Sequence, residues 1–168
     1  MDTETVTLDA EQVGREQLLA LLAGGNAHMP FDTVAAEMPA SAINARPRHY
    51  NYTPYHLLEH MRRAQYDILE FVRNPDYESP PYEEFWPPEE ETADEAEWEA
   101  SAARFREDLD AVMKLVKSSA WSLGAEIPHA PGYTYIREFL LVADHNAYHL
   151  GELAALRLIL GAPPPERW

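Results

Sequence analysis

The sequence predicts an all-α protein, a single four-helix-bundle domain over residues 1–168, on three observations. Apolar residues recur at helical spacing in four long segments; cap residues, Gly or Pro bound each segment; and no stretch of any length alternates like a strand. A chain of 168 residues with 46% hydrophobic content suits one domain with a sizeable core. No internal repeat occurs at solenoid periods.

Asp9 and Gln12 have the spacing of a capping box, and Val13, Leu18, Leu19, Leu21 and Leu22 supply an apolar face until Gly24-Gly25 stops the first helix. Residues 26–52 carry Pro30, Pro39 and Pro47 and read as a long connection, with a helical turn around Asp32 to Met38. Thr53-Pro54 is an N-cap with Pro at the first helical position. Leu57, Met61, Ala64, Ile68 and Phe71 follow at helical spacing until Asn74-Pro75. From 75 to 91, Pro80-Pro81 and Pro87-Pro88 are interleaved with Tyr77, Tyr82, Phe85 and Trp86. This composition predicts an ordered loop whose aromatics fold over one end of the bundle.

Thr92 is the expected N-cap of the third helix, followed by Asp94, Glu95 and Glu97 and by Trp98, Ala102, Phe105, Leu109, Val112 and Val116, with an end near Lys117. After a short loop with Gly124, Pro128, Pro131 and Gly132, the fourth helix runs from about Thr134 to Gly161. It is apolar on two sides. Ile136, Leu140, Ala143, Ala147, Leu150, Ala154 and Leu158 line one, and Leu141, Val142, Leu153, Leu156 and Leu160 spread over the other. Covering both faces calls for a central position or a subunit interface, so a homodimer is expected.

Thirteen Lys plus Arg against 29 Asp plus Glu give a net charge of −16, a repelling field for nucleic acid. With no cysteine, disulfides, thiolate ligands and a cysteine nucleophile are excluded, so any metal falls to His, Asp or Glu. Met1-Asp2-Thr3-Glu4 lacks the features of a signal peptide and no apolar run reaches the ~20 residues of a membrane span, so a cytoplasmic protein with no membrane partner is expected. The acidic run from Glu83 to Glu99 reads as a solvated face.

Four of the seven His form two i, i+4 pairs, His56/His60 and His145/His149. Residues four apart on a helix have Cβ atoms about 5–6 Å apart, so two imidazoles can converge on one ion, and one further His from another helix completes a three-nitrogen site with an open position. A packing role for the same residues is the alternative, in which buried imidazoles need hydrogen-bond partners instead. His28, His49 and His129 fall in loops and are expected to face solvent.

The segments Tyr52-Thr53-Pro54-Tyr55-His56-Leu57-Leu58-Glu59-His60, Thr134-Tyr135-Ile136-Arg137-Glu138 and His145-Asn146-Ala147-Tyr148-His149-Leu150-Gly151-Glu152-Leu153 resemble the DinB/YfiT-like superfamily over nearly the whole chain. The resemblance implies an up-down-down-up four-helix bundle, usually dimeric, with a divalent metal held by His60, His145 and His149. His56 departs from that pattern and is expected to support a ligand or face solvent. Glu152, three residues beyond His149, and Glu138, seven before His145, are the candidate catalytic groups, each able to orient an imidazole or accept a proton. Asp67 reads as an exposed helix carboxylate. Gly151, costly in mid-helix, suggests a close helix contact.

Through the same resemblance the expected activity is transfer by a low-molecular-weight thiol such as bacillithiol, mycothiol or glutathione to a small-molecule substrate. Zinc, nickel and iron all suit three imidazoles. An anionic thiol would call for Arg62, Arg63 or Arg137 beside the metal. A hydrolase using metal-bound water, with Glu152 or Glu138 as base, and a non-catalytic stress-related metal-binding protein occluded by the Trp86 loop are the alternatives.

Overall fold

A computed structural model describes residues 9–165, so the Met1–Glu4 stretch lies outside the described residues. Four long helices dominate: α1 (Ala10–Ala23), α4 (Pro54–Arg73), α5 (Glu95–Lys117) and α6 (Tyr135–Ile159). Between α1 and α4 lie two short helices, α2 (Phe31–Ala35) and α3 (Ala40–Ile43). α4 packs against α5 and α6, and α1 packs against the same two. No helix of the described residues is long and apolar enough to cross a membrane.

The caps follow the sequence in outline and differ in detail. Asp9 caps α1 by accepting from the Glu11 amide, while Gln12 donates to Glu16 instead of closing a capping box. The α5 cap is Asp94, not Thr92: Asp94 accepts from the Glu97 amide and Glu97 accepts from the Asp94 amide, a reciprocal pair that starts the helix at Glu95. Gly24 ends α1 at φ 71°, where a Cβ would come within 3.1 Å of the Pro30 backbone.

Two connections carry more structure than their composition suggests. Residues 31–43 form a wall of the core, with Phe31, Val34, Ala35, Met38, Ala42 and Ile43 all buried and Phe31 stacked on Phe105 at 4.1 Å. The loop before α6 holds an antiparallel hairpin, β1 (Glu126–Ile127) with β2 (Ala130–Thr134), where no strand was expected. Prolines and Gly132, at φ 87°, hide its pattern from a reading based on alternation. The core divides into two clusters. One joins α2 and α3 to the starts of α4 and α5 and the last half of α6. The other joins α1 to the ends of α4 and α5, the hairpin and the first half of α6.

Candidate metal centre

Thr53 accepts from the His56 amide at 3.2 Å and Pro54 occupies the first helical position, which fixes the start of α4. His60 then projects toward α6, where His145 and His149 stand one turn apart. The ligand-capable atoms of these three residues all lie within 4.8 Å of one another. The Nε2 atoms of His60 and His145 are 3.1 Å apart, close to the roughly 3.3 Å edge of a tetrahedron with metal–nitrogen bonds of 2.0–2.1 Å.

Each outer nitrogen that is engaged points its ring inward. His60 Nδ1–H donates to the Phe85 carbonyl at 3.2 Å, leaving its Nε2 lone pair toward His145. His149 Nδ1–H donates to Glu152 Oε2 at 2.6 Å, and the Tyr52 hydroxyl donates to Glu152 Oε1 at 3.1 Å. Trp86 lies flat on His60, with ring centroids 3.9 Å apart and planes at 6°, and it also meets Tyr52 at 5.2 Å and, edge-on, His149 at 6.3 Å. Tyr52 therefore contacts both the carboxylate behind His149 and the indole that covers His60.

Burial holds the His60 imidazole down at about 4, with the charge of His149 adding to the effect and the Phe85 carbonyl opposing it. His145 is lowered to about 3 by burial first and then by His149 and His60. Both rings are neutral donors at neutral pH, the form a divalent cation binds. Beside them Glu59 is 3% exposed. Burial raises its pKa, but hydrogen bonds from Arg62 and Ser101 and the charges of Arg62 and Arg63 outweigh this and hold it at about 2. The donor set, its orientation and its charge state fit a divalent metal.

The three histidines line a cavity of about 360 Å³. Ala64, Ile68 and Leu141 line it from the helices, and Tyr82, Phe85 and Trp86 from the 75–91 loop, whose aromatics thus wall the site rather than cap a bundle end. Asp67 also lines it. Expected to be an exposed carboxylate, it is half-buried and accepts from the Tyr77 hydroxyl at 3.1 Å.

Other candidates lie elsewhere. Glu138 is 2% exposed, ion-paired to Arg137, and is not among the residues lining the cavity. His56 is buried and donates from Nε2 to the Glu91 carbonyl at 2.8 Å, tying the loop to α4 outside the three-residue cluster. His49 and His129 are exposed as expected, whereas His28 is half-buried against the Met29 carbonyl. A Cβ on Gly151 would meet nothing within 4 Å, so the expected close contact is absent among the described residues. Arg62 and Arg63 are engaged with Glu59, and Arg137 with Glu138, away from the histidines. Sequence spacing offered no signal for Tyr52 or for the Phe85 carbonyl, because both reach the site through tertiary folding.

Fold and site together define an all-α protein with a three-histidine cluster of metal-binding type opening on an apolar cavity. Residues 14–153 match the DinB superfamily, and the chain belongs to it. No curated protein and no solved structure matches the chain.

Proposed function

We propose that this chain is a metal-dependent thiol S-transferase, with one divalent ion, zinc, nickel or iron, held by His60, His145 and His149. The observation that carries the reading is the convergence of three imidazoles in the wall of a cavity sized for a small molecule. A divalent ion there supplies the positive charge that keeps a thiol ionised near neutral pH. Glu152, held by Tyr52, fixes the tautomer and orientation of His149, and the Phe85 carbonyl and Trp86 ring do the same for His60. The apolar walls keep water from a substrate bound against the histidines.

The carboxylates favour this reading over a hydrolase. Both oxygens of Glu152 are engaged, and Glu138 is buried against Arg137. Only Asp67 remains on the cavity wall as a base for water. The non-catalytic reading loses support because Trp86 stacks on one ring face and leaves the cavity beside the histidines open. The test is the visible spectrum of the cobalt-substituted protein. Addition of a physiological thiol is expected to shift its ligand-field bands; no response to any such thiol at full cobalt occupancy rejects the transferase.

An up-down-down-up bundle suits the two core clusters, one joining the starts of α4 and α5 to the end of α6 and the other joining their ends to its start. A cytoplasmic setting, where small thiols stay reduced, goes with this activity. A net charge of −16 suits neither nucleic acid nor an anionic membrane as partner. A homodimer through α6 is the remaining part of the proposal. Ile136, Leu140 and Leu158 are 36%, 45% and 56% exposed on the stripe that holds Gly151, whose missing side chain serves no contact among the described residues. Light scattering is expected to give twice 19.1 kDa, and a monomer mass overturns the dimer.

A further inference from the structure

The charge pattern of the cavity narrows what can occupy it. Six of its lining residues are apolar or aromatic, and no Lys or Arg is among the residues that line it. Arg62, Arg63 and Arg137, the cations expected beside the metal, are committed elsewhere. Arg62 makes two bonds to Glu59 at 2.8 and 2.9 Å. Arg63 bonds Glu59 and the Glu84 carbonyl and approaches Glu91. Arg137 pairs with Glu138 and covers the Tyr133 ring at 4.9 Å. Besides the histidines, the one carboxylic acid among the lining residues is Asp67, whose Oδ1 accepts from the Tyr77 hydroxyl. A carboxylate on the far part of a ligand would lose its water, find no cation and face Asp67.

We infer that this cavity takes a ligand with an apolar, uncharged aryl or alkyl body and its single ligating group at the histidine end, and rejects ligands whose body carries a carboxylate. The inference deepens the proposed function and rests on it for the identity of the ligating group. It excludes acidic peptide thiols as the preferred partner and points to a hydrophobic thiol or a hydrophobic electrophile beside a small one.

Matched probes test it on protein of measured zinc content by titration calorimetry. Benzyl mercaptan is compared with 4-(mercaptomethyl)benzoate, and phenylacetohydroxamate with its 4-carboxy analogue. On metal-free protein, Trp86 fluorescence quenching compares benzyl alcohol with 4-(hydroxymethyl)benzoate. The uncharged member of each pair is expected to bind at least tenfold tighter. Leu141→Lys, at a wall position 40% exposed and therefore tolerant of a long side chain, is expected to close that gap to within about threefold. Equal or tighter binding of the carboxylated members to the unsubstituted protein overturns the inference. If only the hydroxamate pair shows the preference and neither thiol binds, the cavity inference stands and the thiol reading falls. If zinc does not load, the metal reading falls and the metal-free comparison still decides.

Discussion

Alanine at His60, His145 or His149 is expected to take bound divalent metal from about one ion per chain to none, measured by inductively coupled plasma mass spectrometry after gel filtration. Three imidazoles with one edge of 3.1 Å form the site, and two retained nitrogens are a poor substitute. Glu152→Gln serves as the graded comparison. It keeps the shape behind His149 but replaces the anion that its Nδ1–H meets at 2.6 Å, so metal affinity is expected to fall about 10–100-fold without being lost. If the histidines only packed, the unsubstituted protein would hold no metal after reconstitution and the alanine variants would change stability alone. Acid gives a second check. With His60 held at about 4 and His145 at about 3, protons compete for those two nitrogens only near those values, so both stay available to metal at pH 6. In metal-free protein the sign is destabilising. Unfolded imidazoles take up protons below about 6.5 and the folded ones only near 4 and 3, so stability is full above pH 6.5 and declines as pH falls through that window.

The helices were legible because their signals are local. Thr53-Pro54, Asn74 and Gly24 mark ends within a few residues of themselves, and the apolar spacing of Leu57, Met61 and Ile68 is visible along the chain. The histidine pair on α6 was legible for the same reason, since i, i+4 spacing is itself geometry. What sequence could not reveal depends on residues brought together from afar. Tyr52 meets Glu152 across 100 positions, and the Phe85 carbonyl meets His60 across 25. Glu138 shows the converse. Its spacing from His145 suits a partner at the site, yet the adjacent Arg137 and the surrounding core hold it elsewhere. Gln65 and Asn146, buried and bonded to each other at 2.8 Å, likewise look like surface amides until α4 and α6 are packed.

Arg157→Met is expected to destabilise the protein by about 3–5 kcal/mol, the range for breaking a buried charged network, read as the loss of midpoint in urea unfolding. Arg157 sits in the last turns of α6, where a cation ordinarily serves the helix dipole from solvent, but it is 1% exposed. Among the described residues no carboxylate bonds it. Instead Nε donates to the Ala162 carbonyl at 2.7 Å, Nη1 to the Val34 and Ala36 carbonyls at 2.6 Å each, and Nη2 to the Glu37 and Pro163 carbonyls at 3.2 Å each. A guanidinium has five N–H groups, and here each has a backbone oxygen. Those oxygens belong to the end of α2, to Glu37 in the left-handed conformation at φ 51°, and to the chain leaving α6, so one side chain ties three stretches of backbone together. Methionine keeps much of the apolar stem and removes every donor, leaving buried carbonyls that each cost about 1–3 kcal/mol where water cannot reach them. Arg157→Lys supplies at most three donors from a single point and is expected to recover only part of the loss. A methionine variant within about 1 kcal/mol of the unsubstituted protein would show that water replaces the guanidinium at these carbonyls, and that the segment 31–43 is held by its buried apolar residues alone.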